Sequence, residues 1–173
     1  MKLERKYLVL CTIAGFVVAF DQLVKIYIHT SFGLGDSLPV IQDIFSITYV
    51  RNTGAAFGLG RDAHELFRTI FFLTMPPIAM IIILNMLKTV EESDRWQVFS
   101  LSLIFGGALG NYIDRLRFGY VIDFLDFHYK EVWSYPAFNI ADSAIVSGVG
   151  LLIAIIIKRW WAEKKELQSK SKA

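Results

Sequence analysis

Charged side chains are scarce in this chain and make up 20% of its 173 residues, against 54% hydrophobic ones. A soluble domain of this length needs more polar surface than that, and the apolar content excludes a disordered chain. The single cysteine, Cys11, excludes an internal disulfide framework and a cysteine-based zinc site. A net charge of +2 without a long basic run in the apolar body gives no support to a nucleic-acid partner. The composition therefore indicates a small integral membrane protein.

Four stretches approach the roughly 20 apolar residues that a membrane-spanning helix needs. They cover about residues 7–28, 69–87, 96–113 and 136–157. We therefore predict an all-α polytopic membrane protein with four transmembrane helices, which form a single domain over residues 1–173. We expect no cleavable signal peptide, because Asp21 interrupts the first stretch where the apolar run of such a peptide would continue.

The distribution of lysine and arginine predicts the orientation of these helices. The N-terminus, the loop over residues 88–95 and the tail after residue 157 hold 11 of the 18 basic residues. By the positive-inside rule both termini lie in the cytoplasm, so the loop over about residues 36–60 faces outward. Its segment 44–50 is rich in β-branched and aromatic residues and predicts a strand, with a second strand or loop around 120–127. We expect a small β-containing region on the outer face, with residues 36–60 at the lipid–water interface.

Four acids fall near the outer ends of the predicted helices, although a charged side chain inside a bilayer costs roughly 2.5–3.5 kcal/mol on insertion scales. Asp21 lies seven residues, or about 10 Å, from the outer end of the first helix, and Asp142 lies at a similar depth in the fourth. Asp114 follows the predicted end of the third helix. Asp123 lies in the loop just beyond, where it is also consistent with an ordinary exposed acid. Three regions of the chain thus place carboxylates at one level of the membrane.

The other three acids have simple structural explanations too, and the residues alone leave them open. Asp21 is consistent with an ion pair to Lys25, four residues later on the same helix face. Asp114 is consistent with a charge pair to Arg115 or with a cap at the helix end. Asp142 is consistent with an N-terminal cap, whose carboxylate accepts from free backbone N–H groups.

Taken together, the acids indicate hydrolytic chemistry. Two carboxylates close together share a proton, so that one activates a water while the other donates to a carbonyl oxygen. Such a pair hydrolyses a peptide without a covalent intermediate. We expect no metal and no cofactor, because His29, His64 and His128 form no H-E-x-x-H motif and have no cysteine partners. No G-x-S-x-G motif surrounds Ser143, so the sequence gives no support to a serine nucleophile.

Two other functions stay open on these grounds. The first is a proton- or ion-coupled transporter that uses the intramembrane acids as a relay. Four helices without a visible repeat are few for such a protein unless it oligomerises. The second is a non-enzymatic membrane subunit in which the acids pair helices.

Five short motifs occur in order along the chain, and the resemblance that they carry covers essentially all of it except its termini. They are Asp21-Gln22, RNTGAAF at residues 51–57, GGALGNYIDR at 106–115, VIDF at 121–124 and PAFNIADS at 136–143. In these motifs the chain resembles lipoprotein signal peptidase, the bacterial signal peptidase II. The tail beyond Trp161 carries no motif.

The resemblance implies an intramembrane aspartyl endopeptidase that removes the signal peptide from diacylglyceryl-modified prolipoproteins by cleaving just before the lipidated cysteine. It implies that Asp123 and Asp142 form the catalytic dyad. Supporting or substrate-binding roles are implied for Asp21, Asn52, Gly54, Asn111, Asp114, Arg115 and Asn139. The enzyme would lie in the bacterial cytoplasmic membrane with its site toward the outer leaflet. Its partners would be lipid-modified prolipoproteins and membrane lipids, with no obligate protein partner.

Overall fold

A computed structural model of the chain describes residues 4–54, 64–130 and 132–170. Within those ranges the chain forms four helices and four short strands, which confirms the expected combination of a helical body with a small β region. The helices are α1 (Arg5–Ser31), α2 (Glu65–Thr89), α3 (Arg95–Phe118) and α4 (Ile140–Lys170). The strands are β1 (Ser37–Ile41), β2 (Phe45–Asn52), β3 (Val121–Tyr129) and β4 (Trp133–Ser134).

Three segments of the described helices are long and apolar enough to cross a membrane. They are Arg5–Ser31, Thr69–Thr89 and Ile140–Gln168. These segments match the first, second and fourth predicted spans, whereas the third, at residues 96–113, lies in α3 and does not reach the same hydropathy. α3 packs against α1, α2 and α4, and it buries small polar residues such as Ser100 and Ser102 there. α3 therefore combines a lower hydropathy with a central position in the bundle.

The end of α3 differs from the prediction. The helix continues past residue 113, so Asp114 and Arg115 lie in its final turns and not beyond it. It ends where Gly119 adopts a left-handed conformation with φ of 76° and donates its N–H to the Arg115 carbonyl. The predicted end was wrong because partners inside the fold compensate the charge of Asp114. The helix can therefore continue past this acid.

The strands form one antiparallel sheet in the order β1-β2-β3-β4. β2 confirms the strand predicted at residues 44–50, and β3 shows that the second segment, predicted as a strand or a loop, is a strand. β1 was not predicted. β2 pairs with β3 so that Val50 faces Asp123. Ile28 at the end of α1 packs with Tyr49 and Ile122 of the sheet in one apolar cluster. The sheet therefore sits at the end of the bundle where α1 and α3 finish and α4 begins.

A buried ion triad of Asp21, Lys25 and Asp114 links α1 to α3. The Lys25 ammonium lies 2.8 Å from Asp21 Oδ2 and 2.9 Å from Asp114 Oδ2, and all three side chains are at most 1% exposed. The backbone N–H groups of Ala141 and Ile122 donate to Asp21 and Asp114, respectively. The ion pair suggested for Asp21 is thus confirmed. Among the described ion pairs, Asp114 pairs with Lys25 and not with its neighbour Arg115.

Close helix packing around α3 depends on glycine. A Cβ atom added at Gly107 would overlap the carbonyl oxygen of Ala141 and would lie 2.7 Å from Cγ1 of Ile145, both on α4. A Cβ at Gly106 would lie 2.9 Å from the Cα of Ala14 on α1. Small residues of this kind let helix backbones approach each other in a membrane.

We predict that Gly107→Ala destabilises the bundle. Because the added methyl group meets backbone atoms, α3 and α4 have to separate, and overpacking of this kind costs about 1–3 kcal/mol. The thermal unfolding midpoint in detergent should fall by roughly 5 °C or more. Gly150→Ala on α4 is the matched control, because a Cβ there meets nothing within 4 Å. An unchanged midpoint for Gly107→Ala would contradict the packing described here.

Candidate active site

Asp123 is the third residue of β3 and is 1% exposed. Its Oδ1 accepts a hydrogen bond from Asn139 Nδ2 at 2.7 Å, and its Oδ2 accepts one from Asn52 Nδ2 at 2.9 Å. Asn52 is held at the end of β2, the strand that pairs with β3. The alternative of an ordinary exposed loop acid is therefore wrong for Asp123.

Asp142 lies in the first turn of α4, which begins at Ile140, later than predicted, and runs well past the predicted end at residue 157. Asn139 Oδ1 accepts from the Asp142 N–H at 2.9 Å, while Asp142 Oδ2 accepts from the Asn139 N–H at 3.2 Å. This reciprocal pair is a capping box. Asp142 Oδ1 accepts from Asn111 Nδ2 at 2.7 Å. Asp142 thus shares the predicted capping role with Asn139. Its carboxylate is also bonded to Asn111 on α3.

Asn139 connects the two acids. Its side-chain nitrogen donates to Asp123, and its backbone N–H donates to Asp142. The same side-chain nitrogen also lies 3.1 Å from Asn111 Oδ1, and the residue is completely buried. One asparagine therefore holds a carboxylate from the sheet and a carboxylate from α4 in the same polar cluster.

Asp123 has an unusual protonation equilibrium. Burial, and then the nearby charge of Asp142, raises the pKa of Asp123 to about 7, whereas hydrogen bonds from Asn52 and Asn139 act in the opposite direction. An acid with a pKa near neutrality holds its proton in a large fraction of molecules at physiological pH. The carboxyl group of Asp123 can therefore donate a proton, which an ordinary aspartate cannot do at that pH.

Arg115 connects the cluster to the segment that follows β2. Its Nη2 donates to the Gly54 carbonyl at 3.3 Å, and its Nη1 donates to the Asn111 carbonyl at 3.4 Å. Its guanidinium carbon lies 4.9 Å from the ring centroid of Phe72 on α2. Asn52 Oδ1 also accepts from the Gly54 N–H. Residues 55–60 of the predicted interfacial loop lie outside the described residues.

The predicted site residues fall into three groups according to their contacts with Asp123 and Asp142. Asn52, Asn111 and Asn139 bond directly to Asp123 or Asp142. Gly54 and Arg115 contact this first group. Asp21 and Asp114 lie behind it in the ion triad and bond to neither acid among the contacts of the described residues.

Sequence reasoning missed Lys25 and Gln22 as parts of this cluster. Lys25 donates to Asn111 Oδ1 at 2.9 Å, and Gln22 Nε2 donates to Asp114 Oδ1 at 2.8 Å. The signal that could have revealed Lys25 was its position inside a predicted membrane helix, because a charged residue there needs buried partners.

Among the contacts of the described residues, no histidine side chain bonds to Asp123 or Asp142. His29 Nδ1 lies 2.6 Å from the Tyr49 hydroxyl, and His128 lies beside Asp126. In the part of the chain that the structure describes, no three His, Cys, Asp or Glu side chains are grouped so that they could hold a metal ion. In the same part of the chain, the side chains that donate directly to Asp123 or Asp142 are the carboxamides of Asn52, Asn111 and Asn139. The Arg115 guanidinium and the Lys25 ammonium both donate to Asn111.

The chain is similar to known proteins over most of its length. The chain is 47% identical over 146 residues to a lipoprotein signal peptidase of Syntrophus aciditrophicus, which covers 84% of this chain and 90% of the relative. It is 40% identical over 148 residues to a lipoprotein signal peptidase of Desulforapulum autotrophicum, covering 86% of this chain and 91% of the relative.

A solved structure described as a bacterial membrane enzyme, determined by the in meso method at 2.3 Å resolution, superposes with a TM-score of 0.77. It is 37% identical and covers 86% of this chain and 87% of its own. The family model described as signal peptidase (SPase) II matches residues 13–158, which is most of the chain. The chain therefore belongs to the signal peptidase II family.

Proposed function

We propose that the chain is an intramembrane aspartyl endopeptidase, with Asp123 and Asp142 as its catalytic dyad, that removes signal peptides from diacylglyceryl-modified prolipoproteins. One observation carries the proposal: Asn139 donates to both acids, the buried Asp123 and the half-buried Asp142, and so holds them in one cluster. The relatives named lipoprotein signal peptidase support the substrate class. Within the described residues, nothing favours the transporter alternative.

Asp123 is the acid of the pair, because its raised pKa leaves it protonated in a large fraction of molecules near neutral pH. Asp142 is the base and acts as a carboxylate. It takes a proton from a water molecule, whose oxygen adds to the carbonyl carbon before the lipidated cysteine. Asp123 gives its proton to the carbonyl oxygen in the same step. The product is an uncharged gem-diol, so no oxyanion has to be stabilised at the membrane.

Collapse of the gem-diol reverses the proton positions. Asp142 gives its proton to the amide nitrogen, the C–N bond breaks, and Asp123 takes back a proton from a gem-diol hydroxyl. The signal peptide leaves with a new carboxyl group, and the lipidated cysteine leaves with a free amine. Asn52, Asn111 and Asn139 keep the two acids in place through the cycle, and Arg115 holds Gly54 beside them.

The orientation in the membrane follows from the charges at the two ends of the bundle. The sheet and the dyad lie at the end where α4 begins, and the basic tail of α4 lies at the other end. We propose that all four helices of the single domain span the bilayer, with both termini in the bacterial cytoplasm. The dyad then faces the outer leaflet, where the lipid chains of the substrate are held. Membrane lipids and prolipoproteins are its partners, and no further protein subunit is required.

We predict that Asp123→Asn and Asp142→Asn each lower kcat by roughly 100- to 10,000-fold, because either change removes one of the two proton carriers. Cleavage of a synthetic prolipoprotein bearing a diacylglyceryl cysteine is measured on purified protein in detergent. Thermal unfolding of each variant shows that it is folded. The matched control is Asp126→Asn, three residues along the same strand, where the acid bonds to Thr48 and not to the dyad. Normal cleavage by both folded dyad variants would overturn the assignment.

We predict that kcat/KM falls as the pH rises through about 7, because Asp123 then loses the proton that it donates. Removing the Asn52 donor by Asn52→Ala withdraws a hydrogen bond that stabilises the charged form of Asp123. The alkaline limb of the profile should therefore move to higher pH in that variant. Rates between about pH 5 and 9 test this, and a limb that stays in place or moves to lower pH would contradict it.

A further inference from the structure

Lys25 makes one contact that its place in the ion triad does not require. The ammonium group has three N–H donors. Two of them bind Asp21 and Asp114 at 2.8 and 2.9 Å, and these acids already supply the negative charge that a buried lysine needs. The third donor binds a neutral atom, Asn111 Oδ1, at 2.9 Å. This third contact points away from the triad and toward the dyad.

The contact decides which way the carboxamide of Asn111 faces. Its oxygen receives Lys25 on one side and Asn139 Nδ2 on the other, and its nitrogen donates to Asp142 Oδ1 at 2.7 Å. A flipped amide would turn its NH₂ group toward the ammonium and its oxygen toward the Asp142 carboxylate. Both contacts would then be repulsive, since an ammonium only donates and a carboxylate only accepts.

We infer that Lys25 is a positioning residue for the proposed hydrolysis: through Asn111 Oδ1 it holds the amide so that Nδ2 donates to the base, Asp142. The same oxygen anchors Asn139, which donates to Asp123. A single ammonium on α1 thus sets donors to both acids without touching either. This inference rests on the proposed function, because it assigns Lys25 a part in that same reaction.

Removing Lys25 alone would leave two buried carboxylates without a cation, so the test uses the double variant Lys25→Met with Asp21→Asn. This variant removes one positive and one negative charge and leaves the net charge of the site unchanged. Asp114 keeps its donors from Gln22 and from the Ile122 N–H. The Asn side chain at position 21 keeps an oxygen that can accept from the Ala141 N–H.

Lys6 supplies the matched control at the opposite end of the same helix. Its buried ammonium also has three acceptors, which are the carbonyl oxygens of Lys88 and Val90 at 2.9 and 3.0 Å and a carboxylate oxygen of Glu4 at 3.1 Å. Lys6→Met therefore removes a comparable set of buried bonds far from the dyad. It should lower the unfolding midpoint and leave kcat per folded molecule unchanged.

We expect the double variant to fold and to lose about 10- to 100-fold in kcat, with KM within about twofold of the parent. Lys25→Gln with Asp21→Asn, which returns an NH₂ donor group to the site, should recover part of that loss. Adding Asn111→Ala tests the route: in that background the double substitution should cost little further, because the two effects are not additive when one residue acts through the other.

Three results would overturn the inference. In the first, the folded double variant has the kcat of the parent. In the second, it loses the same factor with and without Asn111→Ala, so that Lys25 acts by another route. In the third, neither Lys25 variant folds while Lys6→Met does, which makes Lys25 structural only. Failure of the proposed function is separate, since the parent would then cleave no faster than Asp142→Asn.

Discussion

The start of α4 and the meeting of the two acids depend on the same side chain, that of Asn139. Its oxygen caps the helix by accepting the Asp142 N–H, and its nitrogen donates to Asp123. Its own backbone carbonyl accepts from Ser143 in the first turn. A change in where α4 begins would therefore also move Asp142 away from the sheet. Helix capping and the geometry of the acids are one constraint in this protein.

The cluster can be buried because its hydrogen bonds are complete. Across the described residues, no buried side-chain nitrogen or oxygen is without a hydrogen-bond partner. An isolated charge in such a place would be neutralised or expelled, whereas a fully bonded network is rigid in a low-dielectric environment. The asparagines serve this purpose because each has both a donor and an acceptor to offer. They satisfy the acids without adding a charge that would suppress the raised pKa of Asp123.

Much of this arrangement followed from the order of residues. Hydropathy located the four helices, because a long apolar run in a membrane protein has few alternatives to a helix. The depth of Asp21 and Asp142 indicated that these two acids belong to one region. The motif resemblance implied the dyad. The end of α3 was missed because the prediction ended the helix at the first charged residue. The charge of Asp114 is compensated by Lys25, which lies about 90 residues away in the chain. β1 was missed because its residues are held by pairing with β2 and not by their own pattern.

The glycines of α3 explain how its polar residues reach partners on both sides. A Cβ at Gly110 would lie 2.9 Å from Asp21 Oδ2 and 3.3 Å from the Ala141 Cβ, so any side chain there would push α1 and α4 apart. The Ala141 N–H could then no longer reach Asp21, and the triad would lose its link to α4. One turn later, the same helix carries Asp114 into the triad. The residues that lower the hydropathy of α3 are thus the ones that let α1 and α4 meet around the acids.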